Sequence, residues 1–157
     1  MERSEKDSFA NQFSEIIASN SIGCNFKQTV ANLVAGEYDE ELTQQKVNDF
    51  IKLSETKKGN MFFKKESTIA MFSFTSCPFC RQAKDYLDEN NIKYVTMELD
   101  TLDGNEGNEI RATLGKLTKR TSVPSIFVNG QPIGGLNDGM PGLLPLAKSG
   151  ELETMLA

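Results

Sequence analysis

The apolar positions of this chain change their period near residue 60. Phe9, Phe13, Ile16 and Ile17 fall at i, i+4, i+7 and i+8, which predicts an amphipathic helix running from Asp7. Residues 1–6 before it read as an unstructured polar lead, and Asn20-Ser21-Ile22-Gly23 breaks the pattern. Phe26, Val30, Leu33 and Val34 repeat the spacing until Gly36 stops it, and Asp39 is the N-cap expected for a third helix bearing Leu42, Val47, Phe50 and Ile51. Lys57-Lys58-Gly59-Asn60 ends the run. Residues 1–60 are therefore expected to form a helical extension with no chemistry on it, ahead of a separate domain over 61–157. Cys24 lies in this extension with no cysteine or histidine near it in sequence, and reads as a packing or surface residue ahead of the alternative of a regulatory thiol.

Beyond residue 60 the pattern alternates between strand and helix. Ser67–Phe74 is a near-continuous apolar strand and Lys93–Leu99 a second, with a helix over Arg81–Asn90 between them. That is a βαβ unit, so the two strands should run parallel. A helix follows over Asn105–Leu117, with Ile110, Leu114 and Leu117 in register. Ser125–Val128 and Pro132–Ile133 flank Asn129-Gly130, the strongest short-range hairpin signal a sequence carries. Helices over Leu143–Lys148 and Leu152–Leu156 close the chain. The expected class is α/β: a mixed sheet of four strands with helices on both faces.

Composition narrows the field by exclusion. A net charge of −5 argues against nucleic acid, which calls for a basic face. No apolar run reaches membrane-spanning length. Three cysteines do not build a disulfide-stapled secreted domain. Met1-Glu2-Arg3-Ser4-Glu5 lacks a hydrophobic signal region, and no transit peptide is visible. The expectation is a non-secreted, monomeric protein of the cytoplasm or an organelle, the plastid included.

The chemistry gathers at Thr75-Ser76-Cys77-Pro78-Phe79-Cys80, where a predicted strand runs into a C-x-x-C that opens a helix. A C-x-x-C is read as a redox pair, half of a metal site or an accident. A structural zinc needs four Cys or His ligands, and this chain has no histidine and only Cys24 to spare. The strand-to-helix context favours redox chemistry. With Cys77 as N-cap, the unpaired N–H groups of the first turn, Cys80's among them, point at its sulfur and favour the thiolate. Pro78 then occupies the first helical position, where a missing N–H costs nothing.

Three further motifs bear on the substrate. In Thr121-Ser122-Val123-Pro124, a cis Val123–Pro124 bond would leave the Val123 N–H and C=O outside the sheet, ready for a short antiparallel contact with a peptide-like thiol. Gly134-Gly135-Leu136-Asn137-Asp138 is read as opening the last helix, where the two glycines, Gly134 and Gly135, admit a ligand's backbone, the helix N-terminus attracts a carboxylate and Asp138 answers an ammonium group. Arg120 offers a fork for another carboxylate. Each alone is ordinary turn and cap chemistry. Together, carboxylate, peptide-backbone and ammonium recognition around a thiolate describe a site for glutathione.

On these residues the chain resembles the glutaredoxin family, and most of all glutaredoxins of algae and related photosynthetic eukaryotes. Cys77–Cys80, Ser122–Pro124 and Gly134–Asp138 match its Cys-Pro-Tyr/Phe-Cys, Thr-Val-Pro and Gly-Gly-x-x-Asp motifs in order and spacing. The resemblance covers about residues 64–157 and implies a thioredoxin-like fold. It implies Cys77 as nucleophile and Cys80 as resolving thiol, with Phe79, Arg120, Ser122, Val123, Pro124, Gly135, Asn137 and Asp138 around glutathione. The implied activity is glutathione-dependent reduction of protein–glutathione mixed disulfides and protein disulfides, with glutathione as co-substrate and no metal. The rival is a carrier or sensor holding a [2Fe–2S] cluster between two protomers, against which Pro78 stands. Many members carry lysine three residues before the nucleophile, where this chain has Phe74. A plain thioredoxin fits less well, because Trp-Cys-Gly-Pro-Cys is absent.

Overall fold

A computed structural model describes residues 24–55 and 68–157. The helix expected around Phe9–Ile17, the Lys57–Asn60 stop, the start of the first strand at Ser67 and the packing of the Cys24 side chain all lie outside the described positions.

Two helices lead: α1 over Cys24–Ala35 and α2 over Glu40–Lys52. Gly36 ends α1 at φ 68°, a left-handed conformation that a side chain would resist, and its N–H donates back to the Asn32 carbonyl. Asp39 caps α2 as expected, its carboxylate accepting the Leu42 N–H at 2.9 Å. Then come β1 (Ile69–Ser73), α3 (Pro78–Glu89), β2 (Tyr94–Glu98), a 3-10 turn (Leu99–Thr101), α4 (Glu106–Thr118), β3 (Ser125–Val128) and β4 (Gln131–Gly134). Helices α5 (Leu143–Ser149) and α6 (Glu151–Leu156) finish the chain.

The sheet order is β2-β1-β3-β4. β1 and β2 pair in parallel across the α3 crossover, and β3 runs antiparallel to both β1 and β4. Asn129 and Gly130 both have positive φ, the hairpin geometry that Asn-Gly favours. β1 is buried along its whole length, which is why it reads as a continuous apolar run instead of an alternating one.

Alternation along the strands splits the core into two layers. Ile69, Met71, Ile126 and Val128 face α3, α5 and α6 through Ala83, Leu87, Leu143, Leu146 and Leu152. Ala70, Phe72 and Phe127 face α2 and α4 through Val47, Ile51, Ile110 and Leu114. Phe72 has no exposed surface and packs edge-on against Phe50 at 4.8 Å and Phe127 at 5.9 Å between ring centroids. Such pairs add about 0.5–1.5 kcal/mol beyond their buried area.

This packing alters the expected division of the chain. α2 lies before residue 61, yet it covers Phe72 and shares one core with the sheet. Salt bridges Lys46–Glu106 and Lys116–Glu40, both at 2.6 Å, tie it to α4 as well. The expected boundary after residue 60 thus cuts between a helix and the strands it covers.

α1 departs from its own pattern. The stripe that predicts its buried face, Phe26, Val30, Leu33 and Val34, is partly open to solvent, with Leu33 55% exposed. α1 instead docks on α4 through polar groups: Gln28 donates to the Ala112 carbonyl at 2.9 Å, and Asn105 donates to the carbonyls of Val34 and Ala35. A Cβ at Gly115 would meet Gln28 Oε1 at 2.0 Å and the Thr121 methyl at 2.6 Å, so a bare position on α4 admits this close approach.

Candidate active site

Cys77 sits where β1 ends and α3 begins. It is the N-cap, in extended conformation, and its Sγ accepts the Cys80 N–H at 3.4 Å. Pro78 occupies the first helical position. The turn that carries Cys77 is held from below by Asp100, which accepts the Thr75 N–H at 2.9 and 3.0 Å and the Thr75 hydroxyl at 2.6 Å. The Thr75 hydroxyl and then its N–H hold the Asp100 carboxyl below its ordinary range.

The two thiols differ in surroundings. Cys77 is half-buried, and Cys80 is buried one helical turn away. Burial pushes the Cys80 thiol up to about 11; hydrogen bonds from Phe74 and Ser73 oppose the rise and the neighbouring Cys77 adds to it. Cys80 therefore stays a protonated thiol near neutral pH.

The Val123–Pro124 bond is cis, and Val123 precedes β3. Its carbonyl lies 3.9 Å from Cys77 Sγ. Val123 also lines a groove of about 350 Å³, together with Phe79, Arg120, Ser122, Pro124, Gly135, Leu136, Asn137 and Asp138. All eight residues expected around a thiol tripeptide thus line one groove, and Leu136 joins them. Phe79, 56% exposed, forms a projecting apolar wall.

Three features of the site differ from the sequence reading. Gly134–Asp138 does not open a helix: it leaves β4 into a loop, and α5 starts only at Leu143. The loop folds back on β4 through Gly135 N–H to the Asp138 carbonyl and Gly142 N–H to the Ile133 carbonyl. The N–H groups of Asn137 and Asp138 thus belong to a loop and not to a helix N-terminus, and among the described residues no backbone carbonyl is bonded to them. Gly135 also makes room for protein, since a Cβ there would meet Asp138 Oδ1 at 2.9 Å and Arg120 Nη2 at 3.2 Å.

Arg120 and Asp138, expected to answer separate charges of a ligand, face each other at 3.2 Å, and Arg120 also reaches the Ser122 hydroxyl. With the Asp138 side chain 76% exposed, this pair contributes about 0–1 kcal/mol, so a zwitterionic ligand competes with it at little cost.

Phe74, in place of a lysine, packs beside the α2–α4 layer. The guanidinium of Arg111 lies over its ring at 5.5 Å, and Arg111 Nε donates to the Thr121 carbonyl at 2.6 Å. The cation over the Phe74 ring is therefore supplied by α4. Asp100 and Arg111 are the residues the sequence reading missed. Both act across long sequence separations, and neither carries a local pattern.

The Glutaredoxin family model matches residues 69–133. The chain is 40% identical over 89 residues to glutaredoxin-2 of Schizosaccharomyces pombe, covering 57% of this chain and 76% of that protein. This chain belongs to the glutaredoxin family. It is also similar to the mitochondrial glutaredoxin-2 of Homo sapiens, 41% identical over 73 residues, covering 46% of this chain but only 43% of that longer protein. A crystal structure of a buckwheat glutaredoxin–glutathione complex superposes with a TM-score of 0.60 at 26% identity, over 74% of this chain and 89% of that one. The thioredoxin-like fold and a redox role follow from this membership. The chain's relatives include mitochondrial and chloroplastic glutaredoxins, and no described helix is long and apolar enough to cross a membrane.

Proposed function

We propose that this glutaredoxin is a glutathione-dependent thiol–disulfide oxidoreductase, acting on protein–glutathione mixed disulfides and protein disulfides in the cytoplasm or an organelle. The reading rests above all on one observation: Phe79, Arg120, Ser122–Pro124, Gly135 and Asn137–Asp138 line one groove, and the carbonyl of its Val123 lies 3.9 Å from the half-buried Cys77 sulfur. The Val123 backbone pairs with the cysteinyl unit of glutathione, the loop N–H groups and Arg120 take its carboxylates, and Asp138 takes its ammonium group.

In the first step the Cys77 thiolate attacks the glutathione sulfur of the mixed disulfide. The protein's sulfur leaves as a thiolate and takes up a proton, and Cys77 is left bonded to glutathione. A second glutathione thiolate attacks the glutathionyl sulfur of this adduct, releasing glutathione disulfide and the Cys77 thiolate. In the dithiol route Cys77 attacks a disulfide of the target. Cys80 then loses its proton and attacks the Cys77 sulfur, forming the Cys77–Cys80 bond and expelling the reduced target. Glutathione is a co-substrate throughout.

The test is turnover of a small glutathione mixed disulfide coupled to glutathione reductase and NADPH. Steady NADPH consumption that depends on both the protein and glutathione supports the reading. A folded, reduced protein with no activity above background overturns it.

A further inference from the structure

A second groove, of about 260 Å³, lies between α1 and α4 and is bounded by Phe26, Val30 and Val34 of α1, by Arg111 of α4 and by Ser122. Ser122 also lines the groove beside Val123 and Pro124, so the two depressions share a wall. Its lining is mostly apolar, with Lys27 and Arg111 as the basic groups at its edge. Helix α1 lies wholly outside the span matched by the family model.

Strand direction says what could enter. A polypeptide whose cysteine is joined to Cys77, pairing antiparallel with Val123, advances past Val123, then Ser122, then Thr121. At about 3.3 Å per residue, the second and third residues after its cysteine reach the edge of the α1 groove. The first such side chains find Val30, Val34 and Phe26 partly exposed, and a carboxylate beside them faces Lys27 and Arg111. Glutathione, with a single glycine after its cysteine, ends short of Phe26, Val30 and Val34 on the α1 side of this groove.

We infer that the α1–α4 groove is a docking site for target polypeptides carrying a large apolar side chain, followed by an acidic residue, two to three positions after the reactive cysteine. The inference rests on the proposed function, because it places the target on Cys77 and Val123. It assigns α1 the selection of protein targets, separate from glutathione chemistry.

The experiment is a competition for Cys77 in the full chain carrying Cys80→Ser, first loaded with glutathione. Two amidated peptides, Ala-Cys-Gly-Leu-Glu and Ala-Cys-Gly-Ser-Glu, are each added as the free thiol and exchanged with the bound glutathione. Each peptide thiolate attacks Cys77 sulfur and expels glutathione thiolate, so intact-mass analysis reads both adducts at equilibrium. The leucine peptide is expected to hold Cys77 about tenfold better than the serine peptide, and to shift the amide resonances of α1 in the adduct. Val30→Asp and Val34→Asp, made separately, should abolish that preference while glutathione loading is unchanged. Equal occupancy by the two peptides overturns the inference, whether residues 1–23 or a second copy of the chain fill the groove instead. A leucine preference without glutathione-coupled turnover would overturn the proposed function and leave this inference standing; turnover without the preference would do the reverse.

Discussion

Two grooves meet at Ser122, and they are built by opposite means. The polar one gathers residues from four separate places in the chain, each held by a backbone device: the Cys77 N-cap, the Val123–Pro124 segment, the β4-exit loop and the end of α4. The apolar one is made largely by a single helix whose stripe of Phe26, Val30 and Val34 stays partly exposed while polar bonds dock the helix. The contrast separates two kinds of information. Turn and cap residues state their own geometry, because each solves a local backbone problem. An apolar stripe states only that a face prefers cover, and not what covers it.

The largest expected difference between the two regions is catalytic. Cys77→Ser should bring turnover of a glutathione mixed disulfide down to background, because no other group supplies the nucleophile. Val30→Ala, in the other groove, should leave the same turnover unchanged. A loss of activity in folded Val30→Ala would join the regions that the account keeps apart.

Stability should divide the helices in a second way. Val47 of α2 has no exposed surface and touches the Phe72 layer, whereas Val30 is 42% exposed. Val47→Ala is expected to cost about 2 kcal/mol in urea unfolding, and Val30→Ala less than about 0.5 kcal/mol. For the same reason a chain beginning at residue 61 should fail to fold cooperatively, since it uncovers Phe72 and Phe127. A stable, active truncation would show that α2 is dispensable after all.

The next effect lies in pH. Because burial raises the Cys80 thiol to about 11, its thiolate fraction, and with it the dithiol step, should grow about tenfold per pH unit from neutrality toward that value. Stopped-flow release of a trapped target from the Cys77 adduct measures it. A rate that levels off near pH 8 would mean that a nearby base removes the proton.

The smallest expected effect is at Arg111. Arg111→Ala should raise the KM for glutathione severalfold with kcat nearly unchanged, because the residue holds the Thr121 carbonyl next to the Ser122–Val123 segment and makes no bond that changes in the reaction. Phe74→Lys should recover less than a lysine alone would, as it sets a second cation beside Arg111. Steady-state kinetics of the single and double substitutions decide this.

The fold was legible in the sequence wherever local chemistry and tertiary packing agree. Asp39 and Cys77 cap the helices they were expected to cap, Asn129-Gly130 turns the hairpin, and β3 spans Ser125–Val128 as read. The groove residues were legible for the same reason. Legibility failed where an interaction joins distant segments. Asp100 clamps Thr75 from 25 residues away, and Arg111 reaches over the Phe74 ring from α4. The Gly134–Asp138 run misled because glycines before an apolar stretch resemble a helix entrance, whereas here Gly139 and Gly142 at positive φ extend the loop to Leu143. α2 was assigned to an extension because its amphipathic pattern, like that of α1, does not reveal which sheet lies beneath it.

The central claim is that Cys77, and no other sulfur, carries glutathione while Cys80 only resolves. It is tested most directly by incubating the full chain carrying Cys80→Ser with glutathione disulfide and mapping the adduct by peptide mass spectrometry. The account predicts one glutathione per chain, on the peptide containing Cys77, removed by added glutathione. An unmodified Cys77, or glutathione carried on Cys24 instead, would contradict it.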